Sequence, residues 1–189
     1  MKRLSWIMLG LLFCGGLLAG SYLTAAAQEA KEEAKPELIG SDKCKICHKS
    51  EKSGNQYGIW AASQHAQAYA ALGSDEAKAI AKKKDIADPQ KAPECLKCHV
   101  ASAFLDEGVK AMDSYSVEEG VGCETCHGPG SEYKSMSVMK DREKAIAAGL
   151  QLHKPEFCVK CHNENSPTYK AFNYEEAWKK IAHPIPKEG

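Results

Sequence analysis

The stretch Cys123-Glu124-Thr125-Cys126-His127 decides how the whole chain is interpreted, because it is one of four copies of a single pattern. In every copy two Cys residues stand three positions apart, and a His follows the second Cys directly. We number the copies motif 1 to motif 4. The Cys pairs are Cys44 and Cys47, Cys95 and Cys98, Cys123 and Cys126, and Cys158 and Cys161, and the His residues are His48, His99, His127 and His162. The four motifs use eight of the nine Cys residues of the 189-residue chain.

This Cys-x-x-Cys-His spacing is the attachment signature of c-type haem. Two thiols three positions apart can each bond one vinyl group at a haem edge, and the next His can give its imidazole to the iron. We therefore expect four covalently attached haem c groups, with eight Cys tethers and four proximal His ligands. Zinc ribbons would leave the His residues without a role. Disulfides within each pair would close loops too small to constrain the chain.

Only three other His residues remain as distal ligands on the opposite side of the irons: His65, His153 and His183. We expect all three to act in this way, but three residues cannot complete four irons. One iron is then five-coordinate, water-bound, completed by another subunit, or ligated by a methionine, the candidates being Met112, Met136 and Met139. An open iron is the favoured alternative, and chemistry beyond electron transfer would occur there.

The composition favours a fold in which the cofactors supply the core. Only 7% of the residues are aromatic, and about 40 residues for each haem are too few to enclose it in a conventional core. We expect a mainly α fold, a small multihaem cytochrome with short helices and loops wrapped around four closely packed haems. Helices are predicted over 58–72, 75–84, 141–148 and 174–183, with Ser74 capping the second and Asn173 beginning the fourth.

The N-terminal residues predict an export signal. Lys2 and Arg3 precede an apolar run over 4–23, and the Ala residues at 25–27 supply a small-residue cleavage site. We expect a signal peptide over 1–27, a flexible tether over 28–40 and a tetrahaem cytochrome domain over 41–189. The protein is then periplasmic or otherwise exported, and it is attached to a membrane only if the signal stays uncleaved.

The formal charges are balanced, with 25 basic and 25 acidic residues. A nucleic-acid-binding protein normally has a basic excess or a basic stripe, so the balance argues against that class. The signal peptide carries two basic residues and no acidic one, and haem brings propionates, so we expect the mature holoprotein to be acidic. The expected partners are other redox proteins: cytochromes, oxidoreductases or quinol-linked donors.

Several segments resemble the cytochrome c-554 family of tetrahaem proteins. Residues 120–130, Gly-Val-Gly-Cys-Glu-Thr-Cys-His-Gly-Pro-Gly, resemble its most specific segment, and residues 60–66, Trp-Ala-Ala-Ser-Gln-His-Ala, resemble its helix with a distal His. Cys98-His99-Val100, Leu152-His153 and the residues 172–183 also fit. The resemblance extends over most of the mature chain, from about Ser41 to Pro184.

The resemblance implies a mostly helical fold with two stacked haem pairs. It also implies that the haem on Cys95, Cys98 and His99 lacks a distal protein ligand, in agreement with the ligand count. The chain departs from the family's type member in having no His over 131–141, where Met136 lies. The correspondence between distal His residues and haems therefore stays open.

Three functions are compatible with these features. The leading hypothesis is an exported tetrahaem cytochrome that carries electrons between redox partners through closely spaced haems. The second is a small enzyme that reduces nitric oxide, hydroxylamine or nitrite at an open five-coordinate haem. The third is a subunit of an assembly in which haems stack across subunit interfaces and conduct electrons.

Overall fold

The computed structural model describes residues 35–105, 108–152 and 154–185. The expected signal peptide, residues 28–34 of the expected tether, and His153 lie outside the described residues. Within the described ranges, no helix is long and apolar enough to cross a membrane.

Short helices and connecting loops make up the described chain, and the longest helix has nine residues. An isolated bridge between Leu38 and Ala111 is the β-structure found in these ranges. The expectation of a mainly α fold is confirmed. The helices, α1 to α11, are Ser41–His48, Gln56–Ala61, Ala68–Ala71, Asp75–Lys83, Pro93–His99, Ala101–Phe104, Cys123–His127, Met136–Met139, Arg142–Ala147, Pro155–Cys158 and Tyr174–Ile181, with 3₁₀ turns at Glu51–Ser53, His65–Gln67 and Val117–Glu119.

Three of the four predicted helices form, and each begins at a side-chain cap. The Ser74 hydroxyl accepts a hydrogen bond from Ala77 N, and Asn173 Oδ1 accepts one from Glu176 N, both over 3.1 Å. Asp141 caps α9 in the same way. The helix α11 ends at Ile181, two residues before the predicted end, because the residue that precedes a proline is pushed out of the helical conformation.

The predicted helix over 58–72 is wrong, since the segment is divided into α2, a 3₁₀ turn and α3. A long-range contact competes with the helical hydrogen bonds. The His65 carbonyl accepts a hydrogen bond from Val121 N over 3.0 Å, and Trp60 Nε1 donates to the Val121 carbonyl over 2.8 Å. These bonds attach the segment to the residues just before motif 3, and they leave His65 on a separate turn.

The segment before α1 packs against the rest of the protein. Leu38 N donates to Lys110 O over 2.9 Å, and Met112 N donates to Leu38 O over 2.8 Å. Leu38 and Ile39 are buried. The packed part of the chain therefore begins before Ser41, the residue at which the cytochrome domain was expected to start.

Large apolar side chains contribute little to the interior of the described residues, as the composition suggests. Among the buried apolar residues, three are alanines, and Tyr133 is the one aromatic residue. The buried apolar residues are Leu38, Ile39, Leu72, Ala81, Val100, Ala101, Tyr133 and Ala145.

Candidate functional site

Three of the four motifs lie at the ends of short helices. Helix α1 ends at His48, α5 at His99 and α7 at His127. In motif 4, α10 ends at Cys158 and a further turn follows, in which His162 N donates to Cys158 O over 2.9 Å. Helical positions i, i+3 and i+4 share a face, so each motif presents two thiols and an imidazole on one side.

The eight motif Cys residues carry free thiols in the described structure. Cys47 is exposed and the other seven are partly exposed. A covalent bond to a group outside the polypeptide requires thiols that this group can reach, so the accessibility of the tethers fits haem attachment.

Thiols of different motifs lie against one another. The thiols of Cys44 in motif 1 and Cys123 in motif 3 interact, which raises the pKa of Cys44 and lowers that of Cys123. The thiol of Cys161 in motif 4 interacts with that of Cys98 in motif 2, and burial together with this interaction raises the pKa of Cys161 to about 12. The charges of motif 3 and motif 4 also interact, through Cys126. These electrostatic interactions connect the motifs in the order 1, 3, 4, 2.

Two distal candidates lie opposite motif His residues. The ring centroids of His65 and His162 are 6.1 Å apart, with an interplanar angle of 55°. The ring centroids of His127 and His183 are 5.9 Å apart, with an angle of 44°. His65 is therefore paired with motif 4 and His183 with motif 3. No equivalent His pair involves motif 1 or motif 2 within the described residues.

These separations fit two imidazoles on one iron. A metal–imidazole bond of about 2.0 Å, with the nitrogen about 1.1 Å from the ring centre, places the two centroids about 6.2 Å apart. Burial lowers the pKa of His65 and of His162, and the charge of His162 lowers that of His65 further. Both effects favour the neutral imidazole, which is the form that binds a metal.

Hydrogen bonds at the Nδ1 atom orient three of the proximal imidazoles. The Nδ1 atom of His99 lies 2.6 Å from the carbonyl of Ala68, and that of His127 lies 3.2 Å from the carbonyl of Gln151. His48 Nδ1 lies 3.3 Å from Gln56 Oε1. An imidazole that donates from Nδ1 keeps its Nε2 lone pair available for a metal. His162 stacks on Phe172, with ring centroids 4.8 Å apart.

A buried carboxylate directly follows the first Cys of motif 3. Glu124 is 0% exposed, and its oxygens accept hydrogen bonds from Ile39 N at 2.9 Å, Gly40 N at 2.8 Å and Gly130 N at 2.7 Å. Burial raises the pKa of Glu124, and the backbone N–H groups oppose that shift. The side chain joins the segment before motif 1 to the loop after motif 3.

A second carboxylate strengthens the same junction. Glu119 Oε2 accepts a hydrogen bond from Ser41 N over 2.8 Å, and Glu119 Oε1 accepts one from Ser41 Oγ over 3.1 Å. Ser41 Oγ in turn accepts a hydrogen bond from Cys123 N over 3.1 Å. The first residue of α1 and the first residue of α7 therefore share one hydrogen-bond network.

Sequence reasoning missed three residues of the site: Gln56, Glu119 and Glu124. Gln56 is buried, and its amide nitrogen donates to Pro184 O over 2.9 Å while its oxygen faces His48. No local pattern reveals this long-range bridge. Glu124 had a signal, because it is the one charged residue of the Gly-rich residues 120–130, where uncovered backbone N–H groups are available to a carboxylate.

The chain is mainly α, and its helices present repeated Cys-x-x-Cys-His faces. Two pairs of imidazoles lie at the separation expected for two ligands on one metal. This is the architecture of a c-type cytochrome. The family described as cytochrome c554 and c-prime matches residues 43–128. Cytochrome c-554 of Nitrosomonas europaea is 30% identical over an aligned length of 177 residues, and the match covers 82% of this chain and 69% of that protein. The chain belongs to the cytochrome c-554 family. No solved structure matches it. Membership implies covalently bound haem c and a role in electron transfer.

Proposed function

We propose that this chain is an exported tetrahaem cytochrome that carries electrons between other redox proteins. The four Cys-x-x-Cys-His motifs and the two imidazole pairs carry this proposal, and the interactions between thiols of different motifs connect the four attachment sites in one series. Each motif would bind one haem c, which we number after its motif. Bound haem supplies one-electron chemistry, and the protein supplies spacing, ligation and burial.

The contacts favour the electron-transfer order haem 1, haem 3, haem 4, haem 2. Cys44 and Cys123 bring the edges of the first two sites together, and Cys98 and Cys161 do the same for the last two. Motif 3 and motif 4 are connected through Cys126. This order agrees with two stacked pairs, haems 1 and 3 and haems 2 and 4. It differs from the order of the motifs along the chain.

The paired imidazoles support a specific assignment of the distal ligands. His65 would complete the iron of haem 4, whose proximal ligand is His162, and His183 would complete that of haem 3, whose proximal ligand is His127. His153 is then the remaining His for haems 1 and 2. At least one of these two irons has no distal His from this chain, and the family resemblance favours haem 2.

The test is to count haems and spin states in the protein secreted by a host that attaches haem c. We expect a mature chain that begins after residue 27 and carries four haems by intact mass, with three low-spin irons and one high-spin iron by electron paramagnetic resonance. The variants His65→Ala and His183→Ala should each convert one further iron to high spin. Fewer than four haems would refute the tetrahaem proposal, and four low-spin irons would refute the open site.

A second candidate function is reduction of nitric oxide, hydroxylamine or nitrite at haem 2. The observation in its favour is that His99 is oriented by Ala68 O at 2.6 Å, while no described His pairs with it. Turnover of one of these compounds by the reduced protein would support this function. Binding of nitric oxide without turnover of any of the three compounds would exclude this second function and leave electron transfer as the one proposed function.

A further inference from the structure

We propose that Glu119 and Glu124 set the reduction potentials of haems 1 and 3, acting as positioning residues whose fixed negative charges lower both potentials. The inference rests on the proposed function, in that motif 1 and motif 3 each carry a haem. Two carboxylates lie within the junction of these motifs, and electron transfer does not itself require them.

The hydrogen-bond partners of Glu124 indicate that it is ionised. Ile39, Gly40 and Gly130 all present backbone N–H groups, and a backbone N–H can only donate. A protonated carboxyl would place its own O–H against one of these donors, whereas a carboxylate accepts from all three. Hydrogen bonds from several backbone N–H groups stabilise the charged form of a carboxylate even where burial opposes it.

The charges of these carboxylates are not cancelled by close cations. The ion pairs found among the described residues involve neither Glu119 nor Glu124. Lys134 is the cation whose charge acts on Glu124, and it contributes less than the backbone N–H groups do. A charge in an interior of low dielectric constant acts over a longer distance than the same charge in water.

The field of both carboxylates reaches the haem tethers. Glu119 and Glu124 each act to raise the pKa of Cys44 and that of Cys123, the adjoining thiols of motif 1 and motif 3. Both tethers at this junction therefore lie in the field of the two carboxylates.

The consequence for electron transfer follows from electrostatics. One electron accepted from a redox protein converts one iron from Fe(III) to Fe(II) and adds one negative charge at the site. Nearby fixed negative charges make that addition less favourable, so they lower the midpoint potential. The hydrogen bonds of Glu119 and Glu124 hold the same charges in place, because they fix Ser41 and the segment 39–40 against motif 3.

The experiment compares the holoproteins Glu119→Gln, Glu124→Gln and Glu118→Gln with the wild type by spectropotentiometric titration. Glu118 is the matched control, since it has the same charge beside Glu119 but is exposed. Neutralising one inner carboxylate should raise two of the four midpoint potentials. We expect about a tenfold change in the ratio of reduced to oxidised haem, or about 59 mV for a one-electron couple.

Glu119→Gln gives the decisive result if Glu124→Gln does not bind its haems. Its amide oxygen can still accept from Ser41 N, and its amide nitrogen can donate to Ser41 Oγ, so both contacts are kept, the second in the reverse direction, while the charge is removed. Two potentials raised in Glu119→Gln and unchanged in Glu118→Gln would support the inference. Unshifted potentials, an equal shift of all four, or the same shift in the control would overturn it. Four haems by mass in each variant keeps this outcome separate from a failure of the tetrahaem proposal.

Discussion

Gly120→Ala should weaken the ligation of haem 4 from a distance. Gly120 has φ 74° and ψ −136°, a conformation that L-residues rarely adopt. An added Cβ would lie 2.6 Å from the His65 carbonyl oxygen and 3.1 Å from Ala68 N. Neither neighbour is a flexible side-chain end, so the backbone of the His65 turn must move.

Two costs combine in this variant. Forcing a non-glycine residue into this region costs about 1–3 kcal/mol, and overpacking against backbone costs about 1–3 kcal/mol. We expect the free energy of unfolding to fall by about 2–6 kcal/mol. Because Val121 N is bonded to the displaced His65 carbonyl, the imidazole of His65 should move away from His162.

The assay is denaturant unfolding of the holoprotein together with a count of low-spin irons. Gly149→Ala is the matched control, because Gly149 also has a positive φ, 102°, but the nearest atom to its added Cβ is Pro36 Cγ at 3.7 Å. In the control, backbone strain alone should lower the free energy of unfolding, by about 1–3 kcal/mol, and the number of low-spin irons should stay the same. If Gly120→Ala is no less stable than Gly149→Ala and keeps the same spectrum, the reasoning is wrong.

Three further substitutions test individual contacts. Trp60→Phe removes the hydrogen bond to Val121 and should lower the free energy of unfolding by about 1–3 kcal/mol; unchanged denaturant unfolding would contradict this. Asn173→Ala removes the cap of α11 and should cost about 1 kcal/mol, with faster amide exchange in that helix; equal exchange rates would argue against the cap. Gln56→Leu leaves His48 Nδ1 without its acceptor and should cost about 1–3 kcal/mol. An unaltered melting temperature together with unaltered haem 1 spectra would exclude that role for Gln56.

Local features were predictable from the sequence, and contacts between distant segments were not. The helices that begin at Ser74, Asp141 and Asn173 form as predicted, because a cap and its partner N–H are three residues apart. The segment 58–72 has a helical apolar pattern, but Val121 takes the backbone carbonyl of His65. The pattern describes only what the segment prefers alone, and this competing bond comes from another part of the chain.

The candidate ligands were predictable as a set, and their pairing was not. Counting His residues requires only the sequence, whereas the pairing of His65 with motif 4 and His183 with motif 3 depends on how the whole chain folds. His65 lies between motif 1 and motif 2 in the sequence, but its ring is not paired with the His of either motif. Proximity in sequence is therefore a poor guide to which His rings lie together in this chain.

The position of motif 3 explains why its spacer residue differs from those of the other motifs. In a helical Cys-x-x-Cys-His motif, the residue after the first Cys lies about 100° around the helix from that Cys, beside the face that holds the thiols and the imidazole. At this position Val159 of motif 4 is 51% exposed, and the Lys45 side chain of motif 1 is 43% exposed, but Glu124 is completely buried. Ile39, Gly40 and Gly130 surround the Glu124 carboxylate, so this side of motif 3 is enclosed by protein. A residue there must satisfy the backbone groups around it, and Glu124 does so with a charge that also acts on the adjoining tethers.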